Sequence, residues 1–420
     1  MTGVLVGLRI VESAAFVAAP SAGMTLAQLG ADVIRIDPLA GGLDAHRWPV
    51  TKDGKSLYWA GLNKGKRSIR IDIAKPEGRE LAMALIAAPG ENAGLCLTNF
   101  PATGWLDYAG LKRRRHDLVM VSIVGDSMGR TALDYTVNAA AGFTFVTGPT
   151  DVAGPVNNVV PAWDLVTGQS AALGLIAAER HRRITGEGQL VRIALADVAF
   201  ATAGALGYIA DVEINDAHRP HYGNDVFGAY GRDFATKDGR RLMVVAITRG
   251  QWEALKKATG LSEKFDLAAR ALDLDFAHEG DRYEGRAAIT AILERWFAAR
   301  GFTEAAAALE SAGVCWGPYQ TFQQMVREDP RVSPANPMFQ RIEQPGIGRY
   351  LTAGNPLDFG AAPRGAVPRA PVLGEHTDEI LLGVLKLSER EVGALHDKGL
   401  VAGAVPATAP TDSGGHISSG

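Results

Sequence analysis

The stretch that decides the fold is GLRIVESAAFVAAPSAGMTLAQLGADVIRID, residues 7–37. It begins with a short β-branched run, GLRIVE (7–12), and continues into PSAGMTLAQLGA (20–31), which has a proline near its start and a glycine near its end. Those two residues are typical of the first turn and the end of a helix. A second β-branched run, DVIRID (32–37), follows at once. Two strands joined by a helix within about thirty residues favour a parallel sheet with crossover helices.

The same alternation of strands and helices continues through the first half of the chain. Further strands are predicted at residues 67–72, 94–99, 117–125 and 190–195, and helices at residues 76–88 and 164–183. A change of composition follows near residue 212, where polar residues, glycines and aromatics indicate a linker or a binding loop. DFATKDGRRLMVVAI (233–247) then predicts a β-hairpin with Asp238-Gly239 at its turn. The sequence therefore predicts an α/β first half followed by a separate α+β unit.

Composition and charge argue against several classes of function. Hydrophobic residues make up 47% of the 420 residues and charged residues 21%, which is typical of a globular protein with a substantial core. Lysine and arginine number 43 against 46 acidic residues, so bulk charge does not indicate a nucleic-acid partner. We read no signal peptide, and the uncharged run between Asp197 and Asp211 is shorter than the roughly 20 apolar residues of a membrane-spanning helix. No membrane partner is expected.

The two cysteines, Cys96 and Cys315, stand beside apolar residues, far from any cysteine or histidine at metal-ligand spacing. Neither a zinc site nor a disulfide framework is therefore predicted, and packed thiols are the simpler interpretation. Free thiols are typical of the reducing cytoplasm, which is the expected compartment.

Asp164 stands at the start of a long apolar helix in PAWDLVTG (161–168), and no other charge occurs before Glu179. An aspartate there can be an N-cap, because its carboxylate accepts hydrogen bonds from the first free N–H groups. The same position favours an anion, so Asp164 could instead be an ionised nucleophile that attacks an acyl thioester and forms a mixed anhydride. Trp163 and Gly168 would then supply an apolar wall and a close backbone approach. The residues alone leave both interpretations open.

Two further groups of polar residues each allow two interpretations. NKGKRSIR (63–70), which contains Lys66 and Arg67, is either a solvated turn or a phosphate site, since lysine supplies charge and glycine lets the backbone approach. Neither a P-loop nor a G-x-G-x-x-G motif accompanies it. Asp134 in DYTVN (134–138) is either a second acid or a cap of a loop.

Taken together, the order and spacing of these stretches resemble the family III CoA-transferases, the type that includes formyl-CoA transferase and carnitine CoA-transferase. The resemblance runs from about residue 5 to residue 400. Its pieces include LAQLGADVIRID (26–37), NKGKRSIRID (63–72), TNF (98–100), RITGEGQLVRIALADV (183–198), AGVCWGP (312–318) and APVLGEHTDEIL (370–381). It implies a Rossmann-like large domain built from both ends of the chain, an inserted smaller α+β domain, and an interlocked homodimer.

With that resemblance, the domain boundaries can be predicted along the whole chain. They are residues 1–211 for the N-terminal part of the large CoA-binding domain, 212–232 for a linker, 233–330 for the small α+β domain, 331–400 for the return to the large domain, and 401–420 for a disordered tail.

The resemblance also implies roles for individual residues. Asp164 takes the place of the catalytic carboxylate, and the implied CoA-binding residues are Ala15, Phe16, Val17, Ala18, Lys66, Arg67, Asn99 and Phe100. The chain departs from the family at Ala15–Val17, where a histidine, a small residue and glutamine are usual, and at Tyr108, where an arginine is common. The family's α-methylacyl-CoA racemases have a catalytic histidine where this chain has Leu133, so a racemase is disfavoured because proton exchange needs a positioned base.

DYTVN, PAWDLVTGQ and AERHRRITGEGQLV are similar to family members that transfer CoA within one diacid. The implied reaction moves CoA between the C1 and C4 carboxyl groups of mesaconate through an aspartyl mixed anhydride, with no metal and no cofactor beyond the acyl-CoA substrate. Transfer from a dicarboxylic acyl-CoA to a separate free acid is the alternative, and a catalytically silent acyl-CoA-binding protein is a third. Arg35, His46 and Arg47 are candidates, by charge, for binding the distal carboxylate.

Overall fold

The computed structural model describes residues 3–405, which divide into two compact units. The first unit joins the described residues of Met1–Ala141, Asn158–Ala210 and Pro330–Gly420, and the second joins Gly142–Asn157 to Asp211–Asp329. Residues 142–157, expected in the large domain, group with the second unit in the structure.

The first unit is built around a seven-stranded sheet. Its strands are β1 (Arg9–Ser13), β2 (Asp32–Asp37), β3 (Arg67–Ile71), β4 (Leu95–Thr98), β5 (Val119–Val124), β6 (Leu190–Ala194) and β12 (Val401–Ala402). The order is β12-β3-β2-β1-β4-β5-β6, and all neighbours are parallel except β12, which runs antiparallel to β3. The predicted α/β fold with a mostly parallel sheet is confirmed. Val401 and Ala402, predicted to begin a disordered tail, instead form the edge strand, and residues 406–420 lie outside the described part.

Helices cover both faces of this sheet. They are α1 (Ala18–Gln28), α2 (Leu57–Leu62), α3 (Pro76–Ile86), α4 (Tyr108–Arg114), α5 (Asp134–Ala140), α6 (Ala162–Thr185), α7 (Leu195–Ala205), α15 (Thr377–Gly383) and α16 (Glu389–Asp397), with α8 (Tyr208–Asn215) crossing the sequence boundary between the units. A two-stranded hairpin, β10 (Phe339–Gln344) and β11 (Gly348–Ala353), completes the unit. Three short 3-10 turns lie at Gly104–Leu106, Phe143–Phe145 and Pro330–Val332.

Successive side chains of a strand point to opposite faces of the sheet, and they form two separate cores in the first unit. Ile10 of β1 packs in one core with Leu26 of α1 and Leu175 of α6. Its neighbour Val11 packs on the other face with Leu85 of α3. Because both faces are covered, the strands are nearly continuous hydrophobic runs, as parallel sheets require.

Helices α1 and α6 approach each other closely at Gly168. A Cβ atom on Gly168 would lie 2.1 Å from Ser21 Oγ and 2.7 Å from the Ala18 carbonyl oxygen. The absent side chain therefore serves the packing of two helices, whereas the sequence analysis expected it to allow an approach to substrate. This contact matters for the site, because Asp164 lies one helical turn before Gly168.

The second unit is an antiparallel sheet covered by helices. Its strands, in the order β7-β8-β9, are β7 (Tyr230–Ala235), β8 (Arg241–Ala246) and β9 (Cys315–Pro318). The helices are α9 (Arg249–Thr259), α10 (Ser262–Leu272), α11 (Glu279–Glu284), α12 (Arg286–Ala298), α13 (Phe302–Ala312) and α14 (Phe322–Glu328). Phe234 and Phe297 stack in the core with their ring centroids 4.5 Å apart. The predicted hairpin is confirmed, while Cys315 is exposed, so the expectation that both thiols are packed holds only for Cys96.

Between residues 3 and 405, no single helix combines the length and the apolar character needed to cross a membrane. Only α7 and α8 meet that test as a bent pair.

We expect Gly168→Ala to destabilise the protein, because the new methyl group would force α1 and α6 apart. Overpacking of this kind typically costs about 1–3 kcal/mol of unfolding free energy. Gly174→Ala in the same helix is the matched control, since its Cβ would meet nothing closer than 3.5 Å, and alanine is the better helix former by roughly 1 kcal/mol. Urea denaturation of both variants measures the difference, and equal stabilities would contradict the packing role of Gly168.

Candidate active site

Asp164 lies in the first turn of α6 as its third residue. The helix begins at Ala162, and Pro161 occupies the N-cap position without a side-chain hydrogen bond. The interpretation of Asp164 as an N-cap is therefore wrong. Within residues 3–405 its carboxylate accepts no hydrogen bond, so the side chain is free for chemistry.

The capping is done by Asp134, which is contributed by the neighbouring helix α5. Its Oδ2 accepts a hydrogen bond from the main-chain N–H of Asp164 at 2.9 Å, and the N–H of Trp163 also donates to this carboxylate. The Trp163 indole donates in turn to Asn138 Oδ1 at 3.0 Å, which fixes the start of α6 against α5 a second time. Asp134 is buried, as the interpretation as a cap expects. It caps a helix that is distant in the sequence, however, and not its own loop.

The environment of Asp164 makes it an unusually basic carboxylate. Its pKa is raised to about 6, chiefly by burial and also by the negative charge of Asp134, while Arg47 opposes both effects. The helix N-terminus was expected to keep Asp164 ionised. Desolvation and the charge of Asp134 oppose that effect. At pH 7 most molecules still carry the ionised form, with a stronger nucleophile than an ordinary aspartate would provide.

The loop between β1 and α1 forms a second wall of the site. Asn99 holds it from the end of β4, with the Ala15 N–H donating to Asn99 Oδ1 at 3.0 Å and Asn99 Nδ2 donating to the Ala15 carbonyl at 2.7 Å. The next residue, Phe16, has a φ of +66°, which non-glycine residues rarely adopt and which costs energy unless the surroundings impose it. Val17 and Ala18 are buried where α1 begins.

CoA contacts by Ala15–Ala18 and by Asn99 stay predictions, since the two-way amide clamp already explains Asn99. Phe100 packs against the core beneath α3, and its contact with CoA is likewise a prediction.

Lys66 and Arg67 extend to opposite sides of the sheet, as adjacent residues of a strand do. The Lys66 ammonium is buried beside α1 and lies 2.8 Å from Glu12 Oε2. Arg67 instead makes a two-point ion pair with Asp32 and reaches Glu379 of α15 at 3.1 Å. Both cations are thus already paired with carboxylates of the protein, and their contact with the CoA phosphates stays a prediction.

Of the three cations considered for the distal carboxylate, the structure brings Arg47 to the site. Arg35 is completely buried, 2.8 Å from Asp37 and 2.8 Å from Asp44, so it is unavailable to a ligand. His46 lines a cavity of about 130 Å³ together with Trp59, and neither Arg47 nor Asp164 is among the lining residues. Arg35 is therefore excluded, and His46 stays a prediction that no contact with Asp164 supports.

Arg47 and Asp164 share a neighbour that the sequence analysis missed. Tyr58 lies in α2 under the Arg47 guanidinium, and its pKa is raised to about 12, chiefly by burial. The charges of Asp164 and Asp44 act in the same direction, and Arg47 opposes them. Tyr58 therefore stays protonated and available as a hydrogen-bond donor. Nothing in SLYWAG marks it, because its position depends on a fold contact between distant parts of the sequence.

The site thus contains a basic carboxylate, a capping acid, an arginine and two aromatic rings, Phe16 and Tyr58. Such a set can attack an electrophilic carbonyl and hold an anionic group beside it. Among residues 3–405, no group of three or more histidine, cysteine, aspartate or glutamate side chains has the arrangement of a metal site.

Comparison with known proteins gives concordant matches over nearly the full chain. A family model described as CoA-transferase family III matches residues 5–377. The chain is 61% identical to 2-methylfumaryl-CoA isomerase from Chloroflexus aurantiacus, over 96% of this chain and 99% of that protein. It is 29% identical to succinyl-CoA:mesaconate CoA-transferase from Haloarcula marismortui, over 90% and 96% of the two chains. A CAIB/BAIF family protein from Brucella suis has a similar structure, with a TM-score of 0.74 and 27% identity over 91% of this chain and all of that one.

We expect Asp164→Asn to raise the stability of the protein at neutral pH. A carboxyl group whose pKa is higher in the folded state destabilises the fold once it ionises, from the unfolded pKa near 4 up to the folded pKa of about 6. Because this side chain is partly solvent-exposed, the gain at pH 7.5 should be roughly 1–2 kcal/mol, less than the full shift implies.

Thermal unfolding at pH 7.5 and pH 4.5 measures this effect, and the advantage of the variant should shrink at the lower pH. Asp53→Asn, at an exposed position of the same unit, is the control and should leave stability nearly unchanged. A variant less stable than the parent at pH 7.5 would show that the Asp164 carboxylate is not strained.

Proposed function

The chain belongs to CoA-transferase family III, and from this premise we propose that it is an intramolecular CoA transferase. It moves CoA between the C1 and C4 carboxyl groups of 2-methylfumarate (mesaconate). The observation that carries this proposal is the 61% identity with 2-methylfumaryl-CoA isomerase along nearly the whole of both chains. The geometry around Asp164 supports it independently.

The reaction begins with an attack by the Asp164 carboxylate on the C1 thioester carbonyl. The C–S bond breaks, a mixed anhydride forms, and CoA leaves as a thiolate. The thiolate then attacks the aspartyl carbonyl, which gives an aspartyl-CoA thioester and the free diacid. This two-step exchange splits one difficult transfer into easier ones, as covalent catalysis does in general.

The second half of the cycle repeats these steps from the other end of the diacid. The C4 carboxylate attacks the aspartyl thioester, forms a new anhydride and expels the thiolate. The thiolate attacks the C4 carbonyl, and Asp164 is released as a carboxylate. Charge and protons balance over the cycle, so no proton has to be moved and no redox step occurs. We therefore propose that the enzyme needs no cofactor besides the CoA carried by its substrate.

The basicity of Asp164 and the capping by Asp134 explain why the fold favours this chemistry. A desolvated carboxylate with a pKa of about 6 is still ionised at cellular pH and is more nucleophilic than a fully solvated one. The phenol of Tyr58 is close enough to sense the same charge, and it can donate a hydrogen bond to the carbonyl oxygen as negative charge develops there.

We also propose that the enzyme acts as a homodimer in the cytoplasm. Large apolar side chains stand out from α6 and α7, including Leu173 at 71% exposure and Phe200 at 45%, and a second copy would remove such surface from water. Cys96 and Cys315 are free thiols, which supports a reducing compartment.

A labelling experiment separates intramolecular from intermolecular transfer. The protein is incubated with the C1 thioester of 2-methylfumarate alone, and then with isotopically labelled free 2-methylfumarate added. We expect complete conversion to the C4 thioester without added acid and without label in the product, because both carboxyl groups belong to one bound molecule. Liquid chromatography with mass spectrometry distinguishes the isomers and the label.

Activity that appears only with added acid would replace the isomerase by an ordinary transferase. Asp164→Ala is the negative control, and it should form neither product nor any adduct that hydroxylamine can trap. Acyl-CoA binding without trappable adducts in the unaltered protein would indicate a silent binding protein.

Activity should fall as the pH decreases through about 6, because the nucleophile becomes protonated. Asp134→Asn should move this acid limb of kcat/KM to lower pH, since it removes the like charge while its amide oxygen still accepts the N–H bonds of α6. The pH dependence of kcat/KM for both proteins is the measurement. An unchanged acid limb in Asp134→Asn would mean that the two carboxylates do not interact.

A further inference from the structure

The side chain of Arg47 is held between two aromatic rings. Its guanidinium carbon lies 5.4 Å from the centroid of Phe16 and 5.3 Å from that of Tyr58. Aromatic faces attract such a cation through its charge, and a guanidinium has five N–H donors in its plane, so donors remain for a ligand beside the hydrogen bond with Tyr58. The residue is nevertheless exposed, so its donors can reach a ligand.

Chain connections place this arginine beside the nucleophile. Phe16 immediately precedes the start of α1, and the first turn of α1 contacts α6 at Gly168. Asp164 lies one turn earlier on the same side of α6, the side that meets the start of α1. The arginine and the carboxylate therefore border one site, consistent with the charge of Arg47 being felt at Asp164.

The main chain of Arg47 is fixed from both sides. Its N–H donates to the Asp44 carbonyl at 3.2 Å, and its own carbonyl accepts a hydrogen bond from Ser56 Oγ at 2.6 Å. Asp44 is itself held by the buried guanidinium of Arg35 at 2.8 Å. A side chain built on such an anchored loop loses little freedom when it binds an anion.

The proposed reaction has a specific need for such a cation. Halfway through the cycle the free diacid carries two carboxylates and has no covalent link to the protein. If it left, the transfer would become intermolecular. In each half-reaction one carboxyl group reacts at Asp164 while the other must be held nearby, and the two exchange these places in the second half.

We propose that Arg47 is the carboxylate clamp of this site: it binds whichever carboxylate of the diacid is not reacting and retains the free diacid between the two transfers. This inference rests on the proposed function. The substrate class is then thioesters of dicarboxylic acids whose two carboxyl groups are separated by a short, rigid chain. Retention of the free diacid depends on Arg47. A planar guanidinium suits this role because it can bind a carboxylate through two parallel hydrogen bonds.

The test uses Arg47→Gln, with Arg47→Lys as a second variant that keeps the charge but loses the two-point geometry. Each is incubated with the C1 thioester and labelled free diacid, and the ratio of label uptake to isomerisation is measured. A charge-assisted hydrogen bond of the usual strength predicts that this ratio rises in Arg47→Gln to roughly 10- to 100-fold above the background of the parent, with Arg47→Lys between the two. His46→Gln, in the same loop but lining a different cavity, is the matched control and should show no uptake.

A second measurement does not depend on turnover. The rate of aspartyl-CoA formation at Asp164, read from the mass of the intact protein, is compared for the diacid thioester and for 2-butenoyl-CoA, which lacks the distal carboxylate. The parent should prefer the diacid by at least 10-fold, and Arg47→Gln should lose most of that preference.

The outcomes separate this inference from the proposed function. A parent protein that needs added acid contradicts the isomerase proposal whatever Arg47 does. A parent that isomerises, together with an Arg47→Gln variant that takes up no label and keeps its preference for the diacid, overturns the clamp. If Arg47→Gln does not fold, the same two readouts on Arg47→Lys decide, and parental values in both overturn the clamp.

Discussion

A guanidinium without access to solvent holds the first unit together at the carboxyl ends of its central strands. Arg35 of β2 is completely buried and pairs with Asp37 on its own strand, with Glu12 on β1 and with Asp44 in the following loop. Burial opposes its charge, but these carboxylates outweigh that effect and raise the pKa of Arg35 above its ordinary value. Removing one partner of such a set is costly, typically about 3–5 kcal/mol, because the others are left buried and unpaired. The loop that carries Arg47 is therefore fixed by the same charges that order the sheet.

At the start of α6, two aspartates, Asp134 and Asp164, have different roles. Asp134 satisfies the free N–H groups that any helix start presents, which an aspartate at the N-cap would normally do. Asp164 is thereby released from a structural task and remains in a partly desolvated position where its negative charge is unfavourable. Functional sites often contain unfavourable interactions of this kind. These interactions lower the stability of the folded protein, and they favour the reaction of the residues involved.

Much of the fold could be predicted, because the periodicity of apolar residues and the spacing of turn residues are local properties of the sequence. The βαβ order, the strands of the first half and the hairpin at 233–247 follow from runs of apolar residues and turn residues, and all are present. Asp164 could be singled out because it is an isolated charge before an apolar helix, although the sequence did not show that another residue caps that helix. The capping by Asp134 bridges 30 positions, and no local pattern encodes such a contact.

The assignment that failed has a physical cause. Arg35 was judged by charge, yet a cation next to a sheet can be engaged by carboxylates of neighbouring strands, which only the strand order reveals. Lys66 is likewise paired with Glu12 of β1, and its contact with CoA stays a prediction. Among the candidates chosen by charge, Arg47 differs because two aromatic rings contact its guanidinium and, within residues 3–405, no carboxylate lies within 4 Å of it, so donors remain for a ligand.

The pair of acids at the start of α6 has a further consequence for the energy of the covalent states. When Asp164 is part of an anhydride or a thioester it is neutral, and its repulsion with Asp134 vanishes. In the resting protein, by contrast, Asp164 carries its charge beside Asp134. Relief of that repulsion offsets part of the cost of making a reactive acyl intermediate. The fold therefore influences how far acylation proceeds through a charge that it places beside the nucleophile and that never takes part in the bond changes.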